Sequence, residues 1–480
     1  MDDRRATTRA LRLVPPFLIL LWSLPHFNQG DWRVDIGWYS ALGLQAWQTG
    51  DLWTLSSQPG IPYFNKPPLV LWIHGFFLWI LGPELWAARL GSLLAACLAV
   101  VGVGAIARRW AGEWAGFVAA LALATTPEVF RRTREVSMDL WLLAFLALAG
   151  AFATRPGLRA AAGAGAMLGL ALLCKPLVAL LAVPLLAAWP PPVETGSPAR
   201  RTGAWAARAG TMLLVAACVA APWHLSMLTT HETFAREYFG AEIAARASGD
   251  LVDPERADRG PFFYLGHFLR TAWPWLPVVL AAAWLARRPS PLRRPLVLAW
   301  AWILLWTLAI SAFEDRRPRY AMPVYLGSAL AIGLAAASLP RARIDSLSRT
   351  AWRLGLPLAS AASILAAILP LRIHRPPDPQ WAALFDWIRR ERITALWGGA
   401  LQGPRAARLY LHLGWWPDAT HDRWGDLLAD PQPGDLVLYH DRDGRAPGEG
   451  ESVVFTSGRL TVTSLTDGPW SPRAIPDPGE

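Results

Sequence analysis

Apolar runs separated by short polar connections repeat along the first 370 residues. They fall at about 11–26, 68–82, 86–106, 113–129, 140–153, 160–174, 176–190, 209–229, 262–286, 295–312, 321–339 and 351–370. Several are shorter than the roughly 20 residues a helix needs to cross a bilayer. Charge orders them. The clusters Arg108-Arg109, Arg155/Arg159, Arg200-Arg201, Arg287-Arg288 with Arg293-Arg294, and Arg341/Arg343/Arg349 have few acids nearby, the mark of cytoplasmic loops. With all of them inside, the run 68–82 lies at the interface or re-enters rather than crossing. About eleven spans result, with the N-terminus cytoplasmic and residues 371–480 outside. Arg4, Arg5, Arg9 and Arg12 precede the apolar stretch Leu13–Leu24 without a small-residue cleavage site, so an uncleaved first helix is expected.

The pattern changes from Pro376. An amphipathic stretch, Trp381–Arg390, precedes alternating runs at Arg408–Leu413, Asp435–His440 and Ser452–Leu465, with Gly/Pro/Asp turns between them. This predicts a transmembrane domain over 1–370 and a small extracytoplasmic soluble α/β domain over 371–480, with Asp441–Glu451 as a mobile loop.

Composition agrees with a polytopic α-helical membrane protein: 53% hydrophobic and 17% charged. The net charge of +10 raises the question of nucleic acid. The arginines sit in short clusters between apolar runs rather than on one polar face, so they set topology. Cys97, Cys174 and Cys218 each lie within an apolar run without ligand spacing and read as small buried hydrophobes. Interfacial belts account for most of the 28 tryptophans, and sugar-stacking platforms for a few.

The outward loops carry mixed charge, which points to a site rather than to orientation. Between Gly30 and Pro68 the chain places Asp35, Tyr39, Gly50-Asp51 and Gly60-Ile-Pro-Tyr-Phe-Asn-Lys-Pro-Pro68 against membrane-embedded sequence, where ionised groups are costly and usually functional. Asp35 is either a helix-capping acid or a carboxylate that accepts a proton from an attacking hydroxyl or orients it. Lys66, the only lysine in the first 174 residues, either snorkels to headgroups or offers a point charge to a phosphate oxygen. In Arg131-Arg132-Thr-Arg134-Glu-Val-Ser-Met-Asp139, ligand contact competes with a structural pairing of Arg134 with Asp139. The cluster Arg316-Arg317-Pro-Arg-Tyr320 suits a phosphate or lipid headgroup. Glu242 and Arg246 stand at helical i,i+4 spacing, where a simple salt bridge is the rival reading. His74, His224 and His267 read as packed residues.

These segments together resemble a known family. Asp35-x3-Tyr39-x10-Gly50-Asp51, then Gly60-Ile-Pro-Tyr63-Phe-x-Lys66-Pro-Pro-Leu69, looks like the first outer loop of the polyprenyl-phosphate-dependent GT-C glycosyltransferases, the aminoarabinose transferases and protein O-mannosyltransferase-like enzymes. Glu84-x4-Arg89, Arg134-x4-Asp139, Pro222-Trp223, Glu242-x3-Arg246, Pro261-Phe-Phe-Tyr264 and Arg316-Arg-Pro-Arg-Tyr320-x2-Pro323 follow in the family's order, over residues 10–340. Ile36 stands where an acid is common, Ile243 where His or Asn is frequent, and Arg259 where a basic residue precedes Pro261.

The resemblance implies a GT-C fold with interfacial helices in the first outer loop, in a bacterial plasma membrane. It also implies inverting sugar transfer from a polyprenyl (undecaprenyl) phosphate-sugar donor to a glycolipid, protein or glycan acceptor. Asp35 takes the catalytic role. Tyr63, Lys66, Arg134, Asp139, Glu242, Arg246, Arg316, Arg317 and Tyr320 bind substrate. No cofactor is required, and nothing in the sequence indicates a divalent metal. A transporter or lipid flippase is the competing class: it accounts for the spans and for Lys175, which begins a Lys-Pro pair at a span end. Internal repeats typical of transporters are not evident. A relative that binds polyprenyl lipid without catalysis is the third reading.

Overall fold

The computed structural model describes residues 2–25, 27–32, 34–58, 61–175, 178–189, 198–244, 259–260, 262–272, 275–313, 315–368, 378–393, 397–398, 411, 436–440, 445–449, 451–465 and 471–474. They pack as two units. One comprises residues 1–27, 64–73 and 89–371; the other comprises 28–63, 74–88 and 372–480.

The first unit is helical because its apolar runs have no water to satisfy backbone groups except through their own i→i−4 bonds. Among the described residues, Leu85–Ala111, Ala199–Thr230, Arg293–Ser311 and Pro318–Ala337 are long and apolar enough to cross a membrane. The broken pair Phe263–Thr271 and Leu276–Leu285 makes a fifth if it forms one span. Shorter apolar helices of 10–17 residues are Leu11–Ser23, Leu69–Leu81, Glu113–Ala124, Met138–Ala153, Leu158–Leu172 and Val178–Ala188. At 1.5 Å per residue, Leu69–Leu81 is about 20 Å long, against a hydrocarbon core of about 30 Å.

Small residues let these helices approach closely, as packing without a hydrophobic driving force requires. The helix Met322–Ala337 is buried from Met322 to Ala335. A Cβ at Gly333 would stand 2.5 Å from the Ala115 carbonyl oxygen, and one at Gly327 would stand 2.9 Å from that of Ala299. Of the cysteines, Cys174 is buried and Cys97 half-buried, but Cys218 is exposed on the helix Pro198–Thr230. The apolar run around Cys218 thus presents this thiol outward rather than to the core.

Charge is compensated where the chain turns between helices. In the short helix Pro127–Arg132, buried Glu128 accepts from Arg131 at 2.8 Å and Arg132 at 2.7 Å, and Arg132 also meets Glu135 at 2.5 Å. Burial works to raise the Glu128 pKa, but the two guanidiniums outweigh it and hold the carboxyl below its ordinary range.

In the second unit, the helix Val34–Thr49 leads to the short hairpin Ser56–Gln58/Ile61–Pro62. The amphipathic stretch forms the helix Pro379–Arg390, capped by Asp378, which accepts from Gln380 N at 3.3 Å. Its apolar face, Trp381, Leu384, Phe385 and Ile388, packs on Leu438, Leu460 and Val462. The sheet order is Trp397–Gly398, Leu436–His440, Leu460–Leu465, Glu451–Ser457, antiparallel except for the first pair. The sequence reading of Asp441–Glu451 as a loop is corrected: Arg445–Glu449 is a strand paired with Ser471–Ala474, and Glu451 opens another. Composition hid this because the pairing partner lies more than twenty residues downstream. The expected strand at 408–413 lies outside the described residues apart from Leu411.

Two outcomes follow from this packing. Gly333→Val forces a side chain into the Ala115 backbone and lowers the melting temperature in detergent, with overpacking costing about 1–3 kcal/mol. An unchanged melting curve removes the close approach from the account of stability. Glu128 has a depressed folded pKa, so its contribution is present above its unfolded value and is lost as pH falls through the folded one. Stability measured from about pH 6 down to pH 3 declines less steeply in Glu128→Gln, which starts lower because two arginines lose their counter-charge.

Candidate active site

The charged centre of the first unit forms where the helix Met138–Ala153 begins. Ser137 caps it, accepting from Leu140 N at 3.2 Å, and takes its own backbone position from Ser92 Oγ, which accepts from Ser137 N at 3.0 Å. Asp139 follows in the first turn, where the helix dipole favours an anion. It is buried, 5% exposed, so its charge needs a partner held in place.

That partner is Lys175, where the sequence suggests Arg134. The Lys175 ammonium stands 2.6 Å from Asp139 Oδ1 and 3.9 Å from the centroid of the Tyr320 ring. Arg319 Nε lies 3.9 Å from Asp139 Oδ2. Arg134 turns instead toward the end of the first helix, donating to the carbonyls of Ser23 at 3.1 Å and Pro25 at 2.6 Å. Burial lowers its pKa to about 10. Arg89 joins it, donating to the Arg134 carbonyl at 3.0 Å and to that of Phe27. Arg134 therefore satisfies the Ser23 carbonyl that the helix end leaves open and the Pro25 carbonyl just beyond it, while Arg89 satisfies loop carbonyls.

A second carboxylate organises the other family-like segment. Asp315 is buried and accepts both a two-oxygen contact from Arg317 Nε, at 2.8 and 2.9 Å, and the Tyr320 hydroxyl at 3.2 Å. The Arg317 backbone N–H donates to the Tyr264 hydroxyl at 3.1 Å. Arg316 and Arg259 clasp each other's backbone: Arg259 donates to the Arg316 carbonyl at 2.5 Å, and Arg316 to the Arg259 carbonyl at 2.7 Å. Asp139, Lys175, Arg319, Tyr320, Asp315 and Arg317 thus form one linked chain of contacts.

Lys66 enters the same unit through its neighbours. Phe64 is buried with Leu173, Trp223, Met227, Phe234 and Tyr238, and the Leu69 N–H donates to the Leu173 carbonyl at 3.2 Å. His224 bonds the Ala220 carbonyl at 2.9 Å and the Tyr238 hydroxyl at 3.2 Å, a packed histidine as the sequence suggests.

The remaining candidates belong to the second unit. Asp35 is half-buried in the first turn of the helix Val34–Thr49, and Ile36 beside it is buried. Tyr63 packs edge-on against Trp38, with centroids 5.7 Å apart. Asp31 accepts from Asp378 N at 3.4 Å, tying the first outer loop to the cap of the helix Pro379–Arg390. The Glu242 side chain and Arg246 lie outside the described residues. Among the described residues no group of three or more His, Cys, Asp or Glu side chains is arranged to hold a metal.

Sequence reasoning left Lys175 out of the site. The available signal was its rarity: Lys66 and Lys175 are the only lysines among 46 basic residues, and each precedes a proline.

Residues 65–225 match the family model described as dolichyl-phosphate-mannose-protein mannosyltransferase. The chain is 28% identical over 375 residues to undecaprenyl phosphate-alpha-4-amino-4-deoxy-L-arabinose arabinosyl transferase 2 of Pseudomonas fluorescens, a match covering 74% of this chain and 61% of that protein. A similarly described transferase of Sodalis glossinidius is 25% identical over 461 residues, covering 92% of this chain and 78% of its own length. The chain spans less than two thirds of the length of the Pseudomonas relative. In fold it is similar to ArnT from Cupriavidus metallidurans, crystallised with undecaprenyl phosphate, with a TM-score of 0.75 and 18% identity over 96% of this chain and 99% of that one. Family model, relatives and fold point the same way: the chain is similar to the GT-C membrane glycosyltransferases.

Proposed function

We propose that the protein transfers a sugar, with inversion, from a polyprenyl-phosphate-linked donor to an acceptor at the outer face of a bacterial membrane. The observation that carries this reading is the cation-rich cluster built on Asp139 and Asp315, next to the segment that bears Lys66. A phosphate leaving group is already anionic. It needs positive charge aimed at the oxygen that gains electron density as the C1–O bond breaks, and it needs no protonation.

In this reaction an acceptor oxygen attacks C1 while the polyprenyl phosphate departs with the bonding pair. Lys66, Arg316 and Arg317 stabilise the departing phosphate, and Asp35 takes the proton of an acceptor hydroxyl or orients an acceptor phosphate. Tyr63 and Tyr320 are the aromatic residues proposed for sugar contact. Glu242 and Arg246 remain substrate-binding candidates by resemblance, as does Arg134, whose carbonyl contacts give it a structural task as well. Attack and departure in one step place nucleophile and leaving group on opposite faces of the sugar, which is the basis for inversion. The names of the relatives make 4-amino-4-deoxy-L-arabinose the first sugar to test.

The topology proposed with this function has about eleven spans, a cytoplasmic N-terminus, and residues 371–480 outside. It puts the mixed-charge loops on one face and the arginine-only clusters on the other.

Two substitutions test the assignment. Asp35→Asn retains copurifying polyprenyl lipid while transfer falls by about 10²–10⁴, the usual cost of losing a positioned base; unchanged turnover removes Asp35 from the mechanism. For Lys66→Ala, mass spectrometry of copurified lipid shows depletion of polyprenyl phosphate or its sugar ester relative to the unsubstituted protein. Equal bulk phospholipid in both samples, with no polyprenyl species in either, counts against the donor.

A further inference from the structure

We infer that Lys175 is a second ligand for the donor's phosphate, brought to the same anion as Lys66 and held ready by Asp139 and Tyr320. The inference rests on the polyprenyl-phosphate reading and adds a residue to it. Its first support is placement. The chain uses arginine almost everywhere, yet keeps lysine at two positions 109 residues apart, both followed by proline. The fold joins these two segments directly, through the Leu69 N–H to Leu173 carbonyl bond and the packing of Phe64 with Leu173.

The second support is what surrounds the ammonium. Lys175 is a quarter exposed, with Asp139 at 2.6 Å and the Tyr320 ring face at 3.9 Å. An ammonium is a compact charge on a flexible stem and can pivot from a carboxylate to a phosphate oxygen; a guanidinium fork is matched to fixed two-point contacts. Pivoting would normally strand a buried carboxylate. Here Arg319, 3.9 Å from the other Asp139 oxygen, remains as counter-charge. Asp139 is then the positioning residue, and Lys175 touches substrate.

The alternative is that Lys175 only neutralises Asp139. Binding of undecaprenyl phosphate to purified protein in nanodiscs separates the two, read beside melting temperature. Lys175→Met alone loses stability. The double variant Lys175→Met/Asp139→Asn recovers most of it, because the buried carboxylate's charge goes with its partner's, and still binds the lipid about tenfold or more weakly, the scale of one charge-assisted hydrogen bond. Binding restored to the unsubstituted level in the double variant overturns the inference, with the donor reading intact if Lys66→Ala still binds weakly. Failure of the unsubstituted protein to bind undecaprenyl phosphate overturns both. Should the double variant not fold, Lys175→Arg decides: it keeps the pair with Asp139, and several-fold weaker binding supports the role whereas unaltered binding refutes it.

Discussion

The buried carboxylate of Asp139 is the constraint around which the charged centre is arranged. An uncompensated charge at that depth costs several kcal/mol even after relaxation. The fold answers by drawing Lys175 from after the helix Leu158–Leu172 and Arg319 from the start of the span Pro318–Ala337 onto one side chain. Two sequence-distant segments are thereby tied to the first turn of Met138–Ala153. Tyr320 extends the link to Asp315, and Arg317 continues it to Tyr264. Each carboxylate sits with more than one donor, so the cations are oriented in the protein itself, as the electrostatic stabilisation proposed for a leaving phosphate requires.

Arginines in this chain do three separate jobs, and only local geometry tells them apart. Arg317 and Arg319 address carboxylates of the site. Arg134 addresses the backbone carbonyls where the first helix ends, and Arg89 those of Phe27 and Arg134. Arg131 and Arg132 neutralise Glu128 in the turn between two helices. The energetic logic is common to all three: a guanidinium with several planar donors satisfies several acceptors that would otherwise be buried without partners.

Much of the helical architecture was legible because hydrophobic run length and loop charge are properties of the chain read in order. The amphipathic helix Pro379–Arg390 and the strand Leu436–His440 were legible for the same reason, since their apolar positions repeat with the period of the element; the run Ser452–Leu465, read as one, folds into two paired strands, Glu451–Ser457 and Leu460–Leu465. The strand Arg445–Glu449 was not: its Gly/Pro content reads as a turn, and its partner is remote. Candidate residues divided similarly. Tyr320, Arg317 and Asp139 were found from motif order, and the fold gathers them. The Arg134 pairing failed because closeness in sequence was taken for closeness in space, whereas the cap at Ser137 starts a new helix between them. Lys175 was visible as a residue but assigned to a transport reading, because its contact with Asp139 spans 36 positions.

The two lysines show how composition becomes informative only beside geometry. In a chain biased toward arginine, a retained lysine can reflect codon chance, headgroup snorkelling or chemistry. One Lys-Pro pair alone does not choose among these. Two such pairs, hydrogen-bonded through Leu69 and Leu173, with one ammonium already seated between a carboxylate and an aromatic face, weaken the first two explanations together. Snorkelling directs an ammonium toward water, yet Lys175 turns to a buried acid. Chance does not place both lysine segments in contact. What remains is a reason to prefer a mobile point charge over a rigid fork at this place in the fold, and the proposed transfer of a phosphate-linked sugar supplies one, because the donor phosphate gains negative charge as it leaves.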